Sequence, residues 1–194
     1  MAHAVTYSEF GGPEVLTLSE IEVPAPGPGQ VRVRVTAAGV NPIDHKLRAG
    51  LRPSATISKP RRIGNDGAGV VTEVGADVDG FRVGDEVVVF GASGVYATEI
   101  VVTPDKLTPL PAGVSPAVGA ALGIPVATAY QSLRSLDVGP ADTLLLHAGS
   151  GSVGQAAIQF ARLRGASVIA TASEARADRV RELGATPVGY GDGL

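Results

Sequence analysis

The chain has no cysteine and no tryptophan, one methionine and three histidines in 194 residues. Without cysteine there is no disulfide and no thiolate ligand for zinc. His3, His45 and His147 lie far apart in sequence and form no paired imidazole motif. Charge is sparse, at 18% of residues and a net −3, which gives no electrostatic reason to expect a nucleic acid or an anionic membrane as partner. No charged-then-apolar signal opens the chain, so a cytoplasmic protein is expected. The most apolar stretch, 114–133, contains Ser, Pro and Gly and reads as buried helices rather than a membrane span.

Hydrophobic residues make up 44% of the chain, enough for a folded globule, and its 26 glycines and 14 prolines are scattered through it as turn formers. The first part is β-rich. Segments 16–23 and 31–36 read as strands, the second with Val31, Val33 and Val35 alternating with Arg32 and Arg34. A short helix is predicted over 42–49, stopped by Gly50. Further strands are predicted at 69–75, 86–90 and 96–102, and the glycines between them suggest the tight corners of a small barrel. From Ser115, an N-cap followed by Pro116, the pattern turns helical over 115–122 and 127–133. Beyond Thr143 strand and helix alternate, which implies a parallel α/β sheet. The boundary is placed at 123, giving a domain of 1–123 and a second of 124–194. A doubly wound domain needs two βαβαβ halves and only the first is present. The expectation is therefore a piece of a longer protein, or a sheet that another chain completes.

The most specific motif is Leu144-Leu145-Leu146-His147-Ala148-Gly149-Ser150-Gly151-Ser152-Val153-Gly154. An apolar run enters a glycine turn and an amphipathic helix leaves it. Gly149, Gly151 and Gly154 meet the G-x-G-x-x-G spacing, in which backbone N–H groups and a helix N-terminus receive a dinucleotide pyrophosphate. At the end of the next strand an NAD site places an acid on the ribose 2′-hydroxyl, whereas NADP sites carry small or basic groups. Here the strand ends Thr171-Ala172-Ser173, with Glu174 one step beyond and Arg176 and Arg179 following. NADPH is therefore the expected cofactor. A rotated register that places Glu174 on the ribose is the alternative, with both arginines then solvated helix residues.

Several ordered blocks resemble the medium-chain dehydrogenase/reductase family in its zinc-free quinone oxidoreductase branch, the zeta-crystallin-like proteins. They are Gly39-Val40-Asn41-Pro42-Ile43-Asp44, Gly64-Asn65-Asp66-Gly67-Ala68-Gly69-Val70-Val71 with Gly75, Phe81-Arg82-Val83-Gly84-Asp85-Glu86-Val87, and the A-x-x-G-x-V-G form of Ala148, Gly151, Val153 and Gly154. The resemblance covers essentially the whole chain. It implies a GroES-like barrel followed by the first half of a Rossmann sheet, with a reaction site in the cleft between the domains. It also implies hydride transfer from NADPH to a small quinone or similar conjugated acceptor. Zinc-dependent members place Cys where this chain has Asn41 and His-Glu where it has Asn65-Asp66, and amides are poor zinc ligands, so no metal is expected.

The resemblance places Asn41 and Thr128 near the nicotinamide and Tyr190 near the adenosine end; Ser150 and Ser152 go with the fingerprint residues on the pyrophosphate, and Ser173 and Arg176, at the end of the second strand, with the ribose phosphate. Asn41 is also readable as a turn residue before Pro42, and Asp44 as an ion-pair partner of Arg48 four residues on. Lys46 and Arg52 stand where related reductases carry a tyrosine that donates a proton. Lys46 either orients the acceptor or is simply solvated, and a hydroquinone anion would take its proton from water. His45 reads as a surface residue and His147 as packed or hydrogen-bonded. Two alternatives stay open: a reductase of enone, enal or enoyl-thioester double bonds, and a non-catalytic nucleotide-binding or interaction protein. Dimerisation of family members through the Rossmann sheet edge makes a homo-oligomer one expected assembly, although the segment that would form it lies beyond residue 194.

Overall fold

A computed structural model of the chain describes residues 1–52 and 56–191. Packing divides the chain into two units, Met1–Ile124 and Pro125–Leu194. The first unit contains β1 (Ala2–Tyr7), β2 (Thr17–Ile21), β3 (Val31–Gly39), α1 (Pro42–Arg48), β4 (Arg61–Arg62), β5 (Asp66–Val74), β6 (Glu86–Phe90), β7 (Glu99–Val102), β8 (Leu107–Pro109) and α2 (Pro116–Ala120). Its strands form a five-stranded sheet, β7-β3-β5-β6-β8, and a three-stranded sheet, β2-β1-β4. All pairs are antiparallel. Val31 and Val33 are fully buried, as their alternation with the arginines requires, and they pack with Val71, Val87, Val89 and Ile100.

The expected barrel does not close. Among the described residues the two sheets meet through a single bridge, Ala4 to Ala97. The edge strands β7 and β8 have only four and three residues and do not pair with each other. Breaks in the β3–β5 register at Arg32/Val33 and Val35/Ala37 bend the larger sheet instead. Three strands that the sequence reading did not assign complete the unit: β1, β4 and β8.

The second unit holds most of α3 (Gly123–Ser135), then β9 (Thr143–Leu146), α4 (Ser152–Leu163), β10 (Ser167–Thr171), α5 (Ala177–Glu182) and β11 (Thr186–Val188). The sheet is parallel, in the order β11-β10-β9. This is the order of one half of a doubly wound domain. On α4 the buried residues Gly154, Ala157, Ile158 and Ala161 form one stripe at helical spacing. They pack with Val168 and Ala170 of β10 and Val180 of α5. The apolar stretch 114–133 folds as α2 and α3, and no described helix is long and apolar enough to cross a membrane.

Candidate functional site

The glycine loop in the second unit is pinned from the neighbouring strand. Fully buried Thr171, the last residue of β10, accepts the Ala148 N–H on its Oγ1 at 2.9 Å and the Gly149 N–H on its carbonyl at 2.8 Å. Ala148 is held at a φ of 57°, a left-handed conformation uncommon for a residue with a side chain. Gln155 steadies the loop from α4 by donating from Nε2 to the Ser150 carbonyl at 2.9 Å. The loop ends at Gly151, the N-cap of α4. The first intrahelical bond runs from Gln155 N–H to the Gly151 carbonyl at 2.8 Å. The N–H groups of Ser152, Val153 and Gly154 therefore have no acceptor within the helix.

The three fingerprint glycines have different causes. A Cβ on Gly149 would lie 2.5 Å from the Ala170 Cβ, and one on Gly154 would lie 2.3 Å from the Ala148 carbonyl oxygen. Both glycines are required for the helix and loop to pack on the sheet. A Cβ on Gly151 would meet only the Ala148 oxygen, at 3.3 Å. The packing of this unit therefore makes little demand for glycine at 151. Close approach of a ligand to the backbone does demand it, and that is the role of the middle glycine in a dinucleotide loop.

Beyond β10, Glu174, Ala175 and Arg176 form a 3-10 turn before α5. Ser173, Glu174 and Arg176 are all exposed. Arg179 is tied down, donating to Gln155 Oε1 at 3.0 Å and pairing with Glu182 at 3.2 Å. Tyr190 is 61% exposed.

The first unit holds a buried polar network that the sequence did not disclose. Asn41, Asp44 and Asp66 are only 6%, 3% and 1% exposed. Asn41 is the N-cap of α1, and its N–H donates to Asp44 Oδ2 at 2.8 Å. Its Nδ2 donates to Asp66 Oδ2, also at 2.8 Å. Asp66 Oδ2 accepts a second bond, from the Ile124 N–H at 2.7 Å. This bond caps α3 from outside the helix, which explains why α3 begins at Gly123 rather than at the expected 127. The other oxygen, Asp66 Oδ1, is buried without a hydrogen-bond partner among the described residues. A Cβ on Gly123 would lie 2.3 Å from that oxygen, so glycine at 123 makes room for the carboxylate. Asp44 accepts from Asn65 Nδ2 at 2.9 Å and from the Tyr96 hydroxyl at 2.9 Å.

The charges of this network are shifted by their surroundings. Burial raises the Asp66 carboxyl above its usual range, helped by the nearby Asp44 charge and opposed by the Ile124 and Asn41 donors. Burial likewise raises Tyr96, whose hydroxyl is also held by Asp44. A phenol held in this way is a poor proton donor.

The expected Asp44–Arg48 pair does not form. The Asp44 side chain turns inward, while Arg48 donates to the Gly11 carbonyl at 3.2 Å and lies 3.2 Å from His45 Nδ1. Three inward donors satisfy a buried carboxylate better than one half-buried guanidinium would. Asn41 is indeed the turn residue before Pro42, and it is also bound to Asp66. Lys46 and Arg52 are exposed, as are His45, Thr128 and His147; the last was expected to be packed or hydrogen-bonded. The sequence reading missed Tyr96, Thr171, Gln155 and the role of Asp66. Only Asp66 carried a usable signal, a carboxylate within an apolar strand pattern.

Residues 27–112 match the alcohol dehydrogenase GroES-like domain. The mouse quinone oxidoreductase is 40% identical over 175 residues, covering 89% of this chain and 53% of the mouse protein. The Escherichia coli quinone oxidoreductase crystallised with NADPH superposes with a TM-score of 0.85 at 32% identity, over 96% of this chain and 58% of that one. CurK enoyl reductase superposes with a TM-score of 0.89 at 26% identity, over 97% of this chain and 59% of that one. This chain belongs to the medium-chain dehydrogenase/reductase superfamily, with a GroES-like domain and one half of a Rossmann sheet. Quinone oxidoreductases are among its curated relatives, and it spans just over half of their length.

Proposed function

We propose that this chain is the cofactor-binding and acceptor-facing part of an NADPH-dependent reductase of quinones or similar conjugated acceptors, working without zinc. The observation that carries this reading is Gly151, a glycine that its own fold does not require, at the mouth of a pinned loop with free helix N–H groups. When bound, NADPH supplies a hydride, two electrons and one proton, and leaves as NADP⁺.

In this reading loop residues 149–154, including the hydroxyls of Ser150 and Ser152, hold the pyrophosphate. Arg176, with Ser173 and Tyr190, receives the 2′-phosphate. Thr128 and Asn41 serve the nicotinamide end, and Asp66 fixes the Asn41 amide. Lys46 orients the acceptor. A metal-free reaction agrees with the donor set, since Asn41 and Asn65 are amides committed to Asp66 and Asp44. A conjugated acceptor spreads the incoming charge itself and needs no Lewis acid. The network offers no easy proton, because the Tyr96 hydroxyl is given to Asp44, so the reduced acceptor takes its proton from water.

Likeness to an enoyl reductase favours a second reading, reduction of an activated C=C bond. Incubating the protein with NADPH and each acceptor class, and identifying the product, tests both. A hydroquinone supports the first reading and a saturated carbonyl the second. No NADPH oxidation with any acceptor overturns both. Arg176→Ala is expected to weaken NADPH about tenfold, the worth of one charge-assisted phosphate contact, and to leave NADH unchanged in a paired titration.

A further inference from the structure

The peptide between Ser150 and Gly151 is held at both of its polar atoms. Its N–H, on Gly151, donates to the Ala148 carbonyl at 3.0 Å, and its carbonyl, on Ser150, accepts from Gln155 Nε2 at 2.9 Å. This peptide leads into Gly151, where the missing Cβ leaves the backbone freer than any other residue would. The N–H groups of Ser152 and Val153, which have no acceptor within α4, follow at once. Fixing the plane before the glycine therefore helps to fix the direction of those donors.

A glutamine amide can be turned either way round, with its oxygen accepting and its nitrogen donating. The Ser150 carbonyl only accepts, so it needs the nitrogen. Arg179 decides the orientation. Its Nε donates to Gln155 Oε1 at 3.0 Å, and a guanidinium has no acceptor to offer an amide nitrogen. Reversal would set two donors against each other at Arg179 and two oxygens against each other at Ser150. Arg179 is steadied in turn by Glu182, one turn along α5 at 3.2 Å. A chain of contacts thus runs from Glu182 through Arg179 and Gln155 to the loop, all of it inside the second unit. Arg176, three residues before Arg179, is exposed and stands outside it.

We infer that Arg179 is a positioning residue for the dinucleotide loop, acting through the Gln155 amide on the Ser150 carbonyl; this rests on the reading of 149–154 as the pyrophosphate loop. NADPH and NADH share the pyrophosphate and differ only at the 2′-phosphate. A residue that acts on the loop serves both cofactors, whereas one that touches the 2′-phosphate serves NADPH alone.

The test is a titration of wild type, Gln155→Met, Arg179→Met and the double variant with NADPH and with NADH, followed by cofactor fluorescence, each protein first shown to be folded by circular dichroism. Gln155→Met is expected to weaken both cofactors about two- to tenfold, the worth of one hydrogen bond. Arg179→Met weakens both by one common factor, no larger than that of Gln155→Met. The double variant loses no more than Gln155→Met alone, because the two residues act in series. Arg179→Lys, which still donates to Oε1, restores most of the loss. A residue that merely stabilised α5 would show neither this non-additivity nor the equal effect on the two cofactors. Loss of NADPH alone in Arg179→Met would mean direct contact with the 2′-phosphate and would overturn the inference. Losses that add in the double variant, or variants that bind both cofactors as wild type does, overturn it as well and leave the pyrophosphate reading standing. A folded wild-type protein that binds neither cofactor overturns both together.

Discussion

Replacing Gly151 by valine is expected to abolish useful NADPH binding while leaving the protein folded. The added Cβ meets only the Ala148 oxygen, at 3.3 Å, at a backbone conformation open to any residue. Its branches project where the pyrophosphate must approach the N–H groups of Ser152 and Val153. A loss of at least about 100-fold in affinity, or about 2.7 kcal/mol, is expected from fluorescence titration. Gly154→Ala is the contrasting control. Its Cβ would sit 2.3 Å from a backbone oxygen, and the clash has no flexible side chain to absorb it. It should destabilise the unit by about 1–3 kcal/mol or more and lower the melting temperature before binding is considered. If both variants unfold alike, or if Gly151→Val binds NADPH normally, the ligand-based explanation of Gly151 is wrong.

The second large effect belongs to Asp66. Its Oδ2 alone satisfies the Asn41 amide and the first turn of α3. Asp66→Ala leaves two buried donors without an acceptor and should cost about 2–5 kcal/mol in chemical denaturation. Asp66→Asn should cost less than Asp66→Ala, because a single amide oxygen in the Oδ2 position can accept both bonds. The two also differ with pH. Burial holds the Asp66 carboxyl above its ordinary value of about 3.9, so between that value and the raised one the folded state keeps a proton that the unfolded state has lost. The contribution of Asp66 to stability therefore falls as pH rises through that window. Asp66→Asn removes this slope. A denaturation series across the acid range in which wild type and Asp66→Asn run parallel would contradict the assignment.

Periodicity and glycine spacing made the second unit legible. The apolar run of β9, the fingerprint and the stripe of α4 each state their own local structure, and the half-sheet follows from their order. The β-rich unit was legible where Val alternated with charge, as in β3, or ran unbroken, as in β6. It was not legible in β1, where small and polar residues, Ala2, Ala4 and Thr6, fill the buried positions. Nor was it legible in β4 and β8, which have only two and three residues and take their strand form from a partner. Closure into a barrel was read from glycine corners, but closure depends on which edges pair, and that is a long-range property. The buried network was hidden for the same reason. Asn41, Asp44, Asn65, Asp66 and Tyr96 come from three separate stretches of chain, and the local rule of pairing four residues apart gave Asp44 the wrong partner.

The most direct test is a titration of the folded protein with NADPH and NADH, followed by cofactor fluorescence, with circular dichroism to confirm the fold. Saturable binding with NADPH the tighter ligand, lost in Gly151→Val, is the result expected of a working dinucleotide loop with Arg176 at its phosphate end. A folded protein that binds neither cofactor, or binds NADPH equally well with valine at 151, would contradict it.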